Sequence, residues 1–301
     1  MAIELAEFPP LQLLAFSAVF VAVGWLLLTR MFQFGKPSNP VGQKLGIEKS
    51  NLADEFEYPV DGDEDWKIKS LWVFPVKSCR GVELDETNVV PTGLEYDRQF
   101  MFAEKKPHPQ SGILQWVFIT QRKYPQMALI TTKLYPLPKC PTGGTLTVTF
   151  PASPRRFPHS LTRGKFVSFS VPLAANKSIM SAFPLTSVKI WLDHPMGHDM
   201  SSAVAGELRE LEKFLGAKRE LALFRVCDSK PREVHRNAPK KEQLGYQSVV
   251  GFADAYPVHL LNLASVRELN SRIMDKIPEL SIGRFRANII GLSSIIGSPV
   301  R

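Results

Sequence analysis

Apolar positions along this chain fall into three regimes. From Leu11 to Leu28 they are almost continuous, interrupted only by Gln12, Ser17 and Gly24. Coiled as a helix, this run reaches about 27 Å, close to a hydrocarbon core of roughly 30 Å. A cleaved leader wants a basic start and a shorter apolar stretch, whereas Glu4 and Glu7 precede a long one here. The pattern predicts an uncleaved transmembrane helix within residues 1–30. Arg30, Lys36 and Lys44 place the following flank in the cytosol. Residues 31–65 are polar, with Pro37, Ser38, Asn39, Pro40 and Gly42 and then an acidic cluster from Asp54 to Asp65. Little there can bury a core, so it reads as an acidic flexible linker.

From Trp66 onward the apolar residues come in short runs cut by Pro and Gly. Strands are predicted over Gln99–Ala103, Trp116–Thr120, Ala128–Thr132, Thr145–Phe150 and Lys165–Val171. Val188–Leu192 and Leu221–Val226 read the same way. A helix capped by Ser201 or Ser202 carries Val204, Leu208, Leu211 and Leu215 at helical spacing, and Gly216 ends it. Ser265–Met274 is a second amphipathic helix, with Val266, Leu269 and Ile273 on one side. Arg284–Ile290 is a last strand, on which Arg284 and Arg286 flank Phe285 and face one way. The fold class is mainly β with a few helices (α+β).

Composition changes this picture little. The chain is 44% hydrophobic with a net charge of +8, enough apolar residues for a sizeable core. Its basic residues are dispersed, with local clusters only in Pro-containing loops and no nucleic-acid motif beside them, so nucleic acid is not an expected partner. A basic face toward an anionic membrane or an acidic redox partner fits better, with solvated loops as the plain alternative. Cys79, Cys140 and Cys227 are odd in number and far apart, which argues for free thiols.

The candidate chemistry begins at Leu71–Gly81, an aromatic strand that delivers Lys77 and Ser78 to a glycine-closed turn. A cation and a hydroxyl presented together suit an oxyanion, although a turn lysine is more often simply solvated. Arg98 opens the next strand; it is either a second anion ligand or an ordinary partner of Asp97 or Glu95. His194 and His198 with Asp199 invite a metal reading, but Pro195 and Gly197 between them spoil the helical face that spacing exploits, so a structural loop is expected.

Val76–Gly81 (Val-Lys-Ser-Cys-Arg-Gly), Thr92–Phe102 and Arg284–Ile290 (Arg-Phe-Arg-Ala-Asn-Ile-Ile) together resemble the MOSC family. They are more closely similar to its membrane-anchored amidoxime-reducing proteins of the mitochondrial outer membrane. The resemblance runs from Trp66 to Ile290. It implies an N-terminal MOSC β-region over residues 66–188, followed over 189–301 by a MOSC β-barrel that is incomplete here. It also implies a molybdenum cofactor (molybdopterin) held by Lys77, Ser78, Arg98, Asn262, Ser265, Arg286 and Asn288, with Asp254 bordering the substrate opening. Ser265 can equally be only a helix cap, and Arg286 part of a solvated strand face.

What the resemblance implies functionally is a membrane-anchored oxidoreductase acting on N-hydroxylated compounds such as amidoximes. Its electrons would come from a b-type cytochrome and an NADH-dependent reductase. The mitochondrial outer membrane is the expected location, with the endoplasmic reticulum as alternative. The family's metal ligand is a cysteine thiolate, a soft donor, placed after the Arg-Phe-Arg strand. No cysteine follows Gly291 here, so a C-terminal truncation and a missing metal ligand are expected. The alternatives are a non-catalytic MOSC carrier of cofactor or sulfur, or an inactive truncated form. MOSC regions also end molybdenum-cofactor sulfurases, whose pyridoxal phosphate serves an aminotransferase-like part that these residues do not resemble.

Overall fold

A computed structural model describes residues 42–56, 66–152, 166–174, 176–236 and 238–292. In chain order its main strands are β1 (Lys67–Val73), β2 (Val82–Leu84), β3 (Phe100–Pro107), β4 (Leu114–Phe118), β5 (Thr131–Pro136) and β6 (Gly144–Pro151). These are followed by β7 (Phe166–Pro172), β8 (Leu185–Lys189), β9 (Met196–Asp199), β10 (Leu221–Val226), β11 (Leu260–Asn262) and β12 (Ile289–Leu292). The longer helices are α1 (Ala205–Leu215) and α2 (Leu263–Ile273).

Three β-assemblies result. Strands β8, β9, β10, β3 and β4 form a closed barrel, sealed where β8 runs parallel to β4 with Val188 opposite Trp116. Strands β5, β6 and β7 make an antiparallel meander, in which Leu146, Val148 and Phe150 alternate inward. The third sheet has the order β11-β12-β1-β2 and joins the two ends of the described chain. In it Leu71 of β1 lies between Ile289 of β12 and Leu84 of β2.

Strand β3 is buried on both faces, which is why its start reads as an unbroken apolar run. Phe100 and Phe102 enter a large core with Leu146, Val148, Phe150 and the α1 residues Leu208, Leu211 and Leu215. Met101 and Ala103, on the opposite face, join Val188, Ala222, Phe224 and Phe252. Each such fully buried side chain contributes roughly 1.5–3 kcal/mol relative to exposure. α1 ends where the alternation of its apolar face predicts, with Gly216 left-handed at φ 66°.

The expected membrane helix, Leu11–Leu28, lies outside the described residues, and among the described residues no helix is long and apolar enough to cross a membrane. Other expectations are corrected. Residues 42–56 are not a free tether. Leu45 bridges to Leu134, Asn51 N donates to Glu83 Oε1 at 3.0 Å, and Lys69 pairs with Asp54 at 2.9 Å. The closed barrel draws only β10 from beyond residue 205, and β11 and β12 complete a sheet begun by β1 instead. Within Ala128–Thr132 only Thr131 and Thr132 are strand, the start of β5, whereas Ala128 and Leu129 end a 3-10 turn, Pro125–Leu129, capped by Ile130. Arg284–Ile290 is not one strand: Ile282–Phe285 forms a 3-10 turn, Arg286 is left-handed at φ 56°, and β12 starts only at Ile289. The left-handed Arg286 breaks the extended alternation the sequence suggested, and its guanidinium lies over the ring of Phe74.

Candidate functional site: a buried cation cluster around Phe74

β1 leaves its sheet at Phe74 and is captured by the barrel. Phe100 N donates to Pro75 O at 2.9 Å, and Lys77 N to Phe100 O at 2.8 Å. The chain then turns at Ser78, left-handed at φ 64°, whose carbonyl accepts from Gln121 Nε2 at 2.8 Å. Gly81 closes the turn, because a Cβ there would stand 2.6 Å from the Phe74 ring. The Ser78 hydroxyl makes no hydrogen bond among the described residues, which leaves it free to donate.

Lys77 is carried inward to 4% exposure. Its ammonium donates to Phe252 O at 2.9 Å and to Asp254 Oδ1 at 2.6 Å, and sits 5.4 Å from the Phe118 ring centre. Burial pulls its pKa down to about 8, against the Asp254 carboxylate that raises it. Asp254 itself is exposed, and Trp191 Nε1 donates to the same oxygen at 2.9 Å. Although desolvation opposes ionisation, Lys77 and Trp191 hold its carboxyl below the usual range. Arg232 fixes this loop through Ala253 O at 2.5 Å, Asp254 O at 3.1 Å and Asp193 Oδ2 at 2.8 Å.

Arg98 and Arg286 approach from opposite ends of the sequence. Arg98, left-handed at φ 48°, pairs with buried Asp97 and donates to Asn288 Oδ1 at 3.2 Å. Asp97 in turn accepts from Phe74 N at 2.7 Å. The Arg98 and Arg286 guanidiniums lie 5.0 and 4.3 Å from the Phe74 ring centre, a cation–π arrangement. Arg286 Nη1 donates to Cys79 O at 2.5 Å, while its Nη2 is buried without a partner among the described residues. Burial, then the neighbouring Arg98, brings the Arg286 pKa down to about 10. Asn288, fully buried, ties the ends together: Nδ2 donates to Trp72 O at 3.0 Å and Oδ1 accepts from His259 N at 3.0 Å.

Four cations, Lys77, Arg98, Arg232 and Arg286, thus face three carboxylates, Asp97, Asp193 and Asp254, and Arg286 has no carboxylate of its own. Ser78, Arg98, Arg286 and Trp191 all hold positive φ without being glycine, the kind of strain that gathers at ligand sites. A buried excess of cation beside a free hydroxyl suits an oxyanion.

The structure brings Lys77, Arg98, Arg286, Asn288 and Asp254 together, with Ser78 in the adjoining turn. Among the described residues no hydrogen bond or ion pair joins Asn262 or Ser265 to them. Asn262 Oδ1 accepts from Ala264 N at 3.0 Å and caps α2, which starts two residues before Ser265, so Ser265 is not the cap. Asp199 accepts from Ser201 N at 2.9 Å and His198 Nδ1 lies 3.3 Å from Phe183 O, local bonds at the β9 end. Among the described residues no cluster of His, Cys, Asp or Glu is arranged to hold a metal. Cys79, Cys140 and Cys227 are free, and burial pushes the Cys79 thiol up to about 12. Sequence reasoning missed Phe74, Trp191 and Arg232; an aromatic at a strand end and an arginine in a basic loop carry no distinguishing pattern.

The chain is similar in sequence to several known proteins. Residues 66–205, which include Phe74, Lys77 and Arg98, match the MOSC N-terminal beta barrel domain. The mitochondrial amidoxime reducing component 2 of Rattus norvegicus is 23% identical over 228 residues, 74% of this chain and 55% of that protein. The mitochondrial amidoxime-reducing component 1 of Danio rerio is 25% identical over 228 residues, 74% and 57%. The molybdenum cofactor sulfurase of Neurospora crassa is 32% identical over 143 residues, 46% of this chain and 12% of that protein. The chain spans about half the length of the amidoxime-reducing relatives it matches. β1, the barrel strands β3, β4, β8 and β9, and two of the clustered cations lie inside the matched segment, so it is residues 66–205 that carry the MOSC N-terminal beta barrel domain.

Proposed function

We propose that this protein binds a molybdenum cofactor through Lys77, Ser78, Arg98, Arg286 and Asn288, and acts as an oxidoreductase on N-hydroxylated compounds. The observation that carries the reading is the convergence of Lys77, Arg98 and Arg286 around Phe74, with Arg286 left one hydrogen bond and one counter-ion short. A phosphate-bearing pterin supplies both. When bound, the cofactor would supply two-electron chemistry at its metal. The chain's own part is to grip the anion by Arg98 and Arg286 and to offer the Ser78 hydroxyl. Asp254 keeps the Lys77 ammonium charged at neutral pH and, being exposed, stands where a substrate would arrive. Electrons would come from a b-type cytochrome and its NADH-dependent reductase, at a membrane reached through Leu11–Leu28.

The fit extends to the organic part of the cofactor only. Cys79, the cysteine whose carbonyl touches the cluster, is buried with its thiol pushed up to about 12, so it does not offer the cluster a thiolate. That observation favours a second reading, a MOSC module that holds cofactor without turnover, in keeping with the similarity to a molybdenum cofactor sulfurase. Purification of the full chain from cells that make the cofactor, followed by metal analysis and pterin fluorescence, tests both. Molybdenum and pterin with amidoxime reduction supports the first reading; both without turnover supports the second. Neither metal nor pterin in the wild type would overturn them together.

A further inference from the structure

A cavity of about 340 Å³ opens beside the end of β10, and none of Lys77, Ser78, Arg98, Arg286 or Asn288 lines it. Three prolines frame it. Pro91 follows the Val89–Val90 strand, Pro195 precedes β9, and Pro231 precedes the Arg232–Glu233 strand, which pairs with Val249–Val250. Proline has no N–H to continue a ladder, so these short pairings stop at the edge of the hollow. What remains open is apolar, walled by Met196, Val226, Val249, Val250 and Phe252. An apolar cavity of about 150 Å³ takes a benzene, so this one has room for a ligand of roughly twice that size.

Most of the charge in its lining is already paired. Asp228 meets Arg225 at 3.1 Å, and Arg232 is held by Asp193 at 2.7 Å and by the carbonyls of Ala253 and Asp254. Lys230 differs: it is exposed and makes no ion pair or side-chain hydrogen bond among the described residues. The side chains of Thr92 and Gln99, half-buried in the same lining, likewise make no hydrogen bond among the described residues. An apolar pocket with a few polar groups of unused capacity is the usual make-up of a small-molecule site. One ammonium is a compact point charge and balances a single negative charge. A phosphate monoester, at roughly −1.5 to −2, would stay under-compensated there.

We infer that this cavity binds a small amphipathic carboxylate, its hydrocarbon body among the valines and its head on Lys230. The site does not rest on the proposed function, because its ligand is mainly apolar and the cofactor residues take no part in it.

Photolabelling of the full chain with a diazirine-bearing pentanoate at millimolar concentration, followed by peptide mapping, tests the assignment. Labels should concentrate on residues 226–232 and 249–252. Hexanoate should suppress them roughly threefold better than hexanol, the scale of one exposed ion pair, and Lys230→Gln should erase that preference. Inorganic phosphate should not compete. Val249→Trp, which fills the hollow, should abolish labelling there. Lys230 is exposed, so its variant carries little folding risk, and thermal melts verify the fold of both. Labels without enrichment on those residues, or unchanged in Val249→Trp, would overturn the site. Equal competition by hexanoate and hexanol in the wild type would overturn the carboxylate head. Displacement by inorganic phosphate would place the probe at the cation cluster and overturn the site as well.

Discussion

Arg98 Nη2 donates to the backbone carbonyl of Arg286 at 3.3 Å, and the two guanidiniums share the ring of Phe74. Two like charges on one ring repel, and buried Asp97 is the counter-ion that makes the arrangement tolerable. Asp97→Asn keeps the shape and removes that charge. Breaking a buried pair leaves an uncompensated ion; since Arg98 retains some solvent contact, the expected cost is about 2–3 kcal/mol. Urea unfolding checks it, and a variant as stable as wild type would show that Asp97 is not needed.

Lys77 gives the chain a pH signature. Its folded pKa of about 8 lies below its ordinary 10.5, so between those values the unfolded chain holds a proton that the folded one lacks. Stability from this group therefore rises with pH across that interval, by about 1 kcal/mol per unit just above pH 8. Cys79, raised from 9.0 to about 12, acts in the opposite sense above pH 9, which confines the clean window to pH 8–9. Lys77→Met should lack the rise when both proteins are melted across that window. Identical slopes would mean the amine keeps its ordinary pKa.

The three thiols should separate by reactivity. Cys79 is wholly buried with its thiol pushed up to about 12, whereas Cys140 is partly exposed and its thiol is lowered by a hydrogen bond with Thr142. A disulfide reagent at pH 7.5 is expected to modify Cys140 first and Cys79 only on unfolding. Peptide mapping of the labelled protein reads the order directly.

Ser78 stands at φ 64° in the turn that presents Lys77. Ser78→Gly suits that backbone and should retain native stability while losing the hydroxyl. Ser78→Val places a β-branched residue in a left-handed conformation and should cost about 1–2 kcal/mol. Paired thermal melts decide whether the turn geometry is as tight as described.

Thr145–Phe150 and the α1 face were legible because a period of two or of 3.6 survives in their burial, and Leu221–Val226 because a short, mostly apolar run suits a strand buried on both faces. Lys77, Arg98 and Arg286 were legible through the segments around them. Asn262 and Ser265 came from the same resemblance; Asn262 caps α2 here, and neither is hydrogen-bonded to the cations among the described residues. The 42–56 segment was misread for a physical reason: its attachments are isolated, namely hydrogen bonds and ion pairs to Glu83, Lys69 and Arg267 and the single apolar contacts of Leu45 and Leu52 with the core, and these leave no periodic trace. Phe74 escaped notice because nothing in a strand's aromatic content tells which ring will lie beneath two arginines.

Asn288 reaches back across 216 positions to the carbonyl of Trp72. During synthesis, therefore, the lysine-bearing turn leaves the ribosome long before its closing partner exists. The grip on any anion can be assembled only after the late strand has zipped against the first, a slow, non-local step. Any ligand of this cluster would therefore bind only after translation, and would act as a clasp that retains the returning strand.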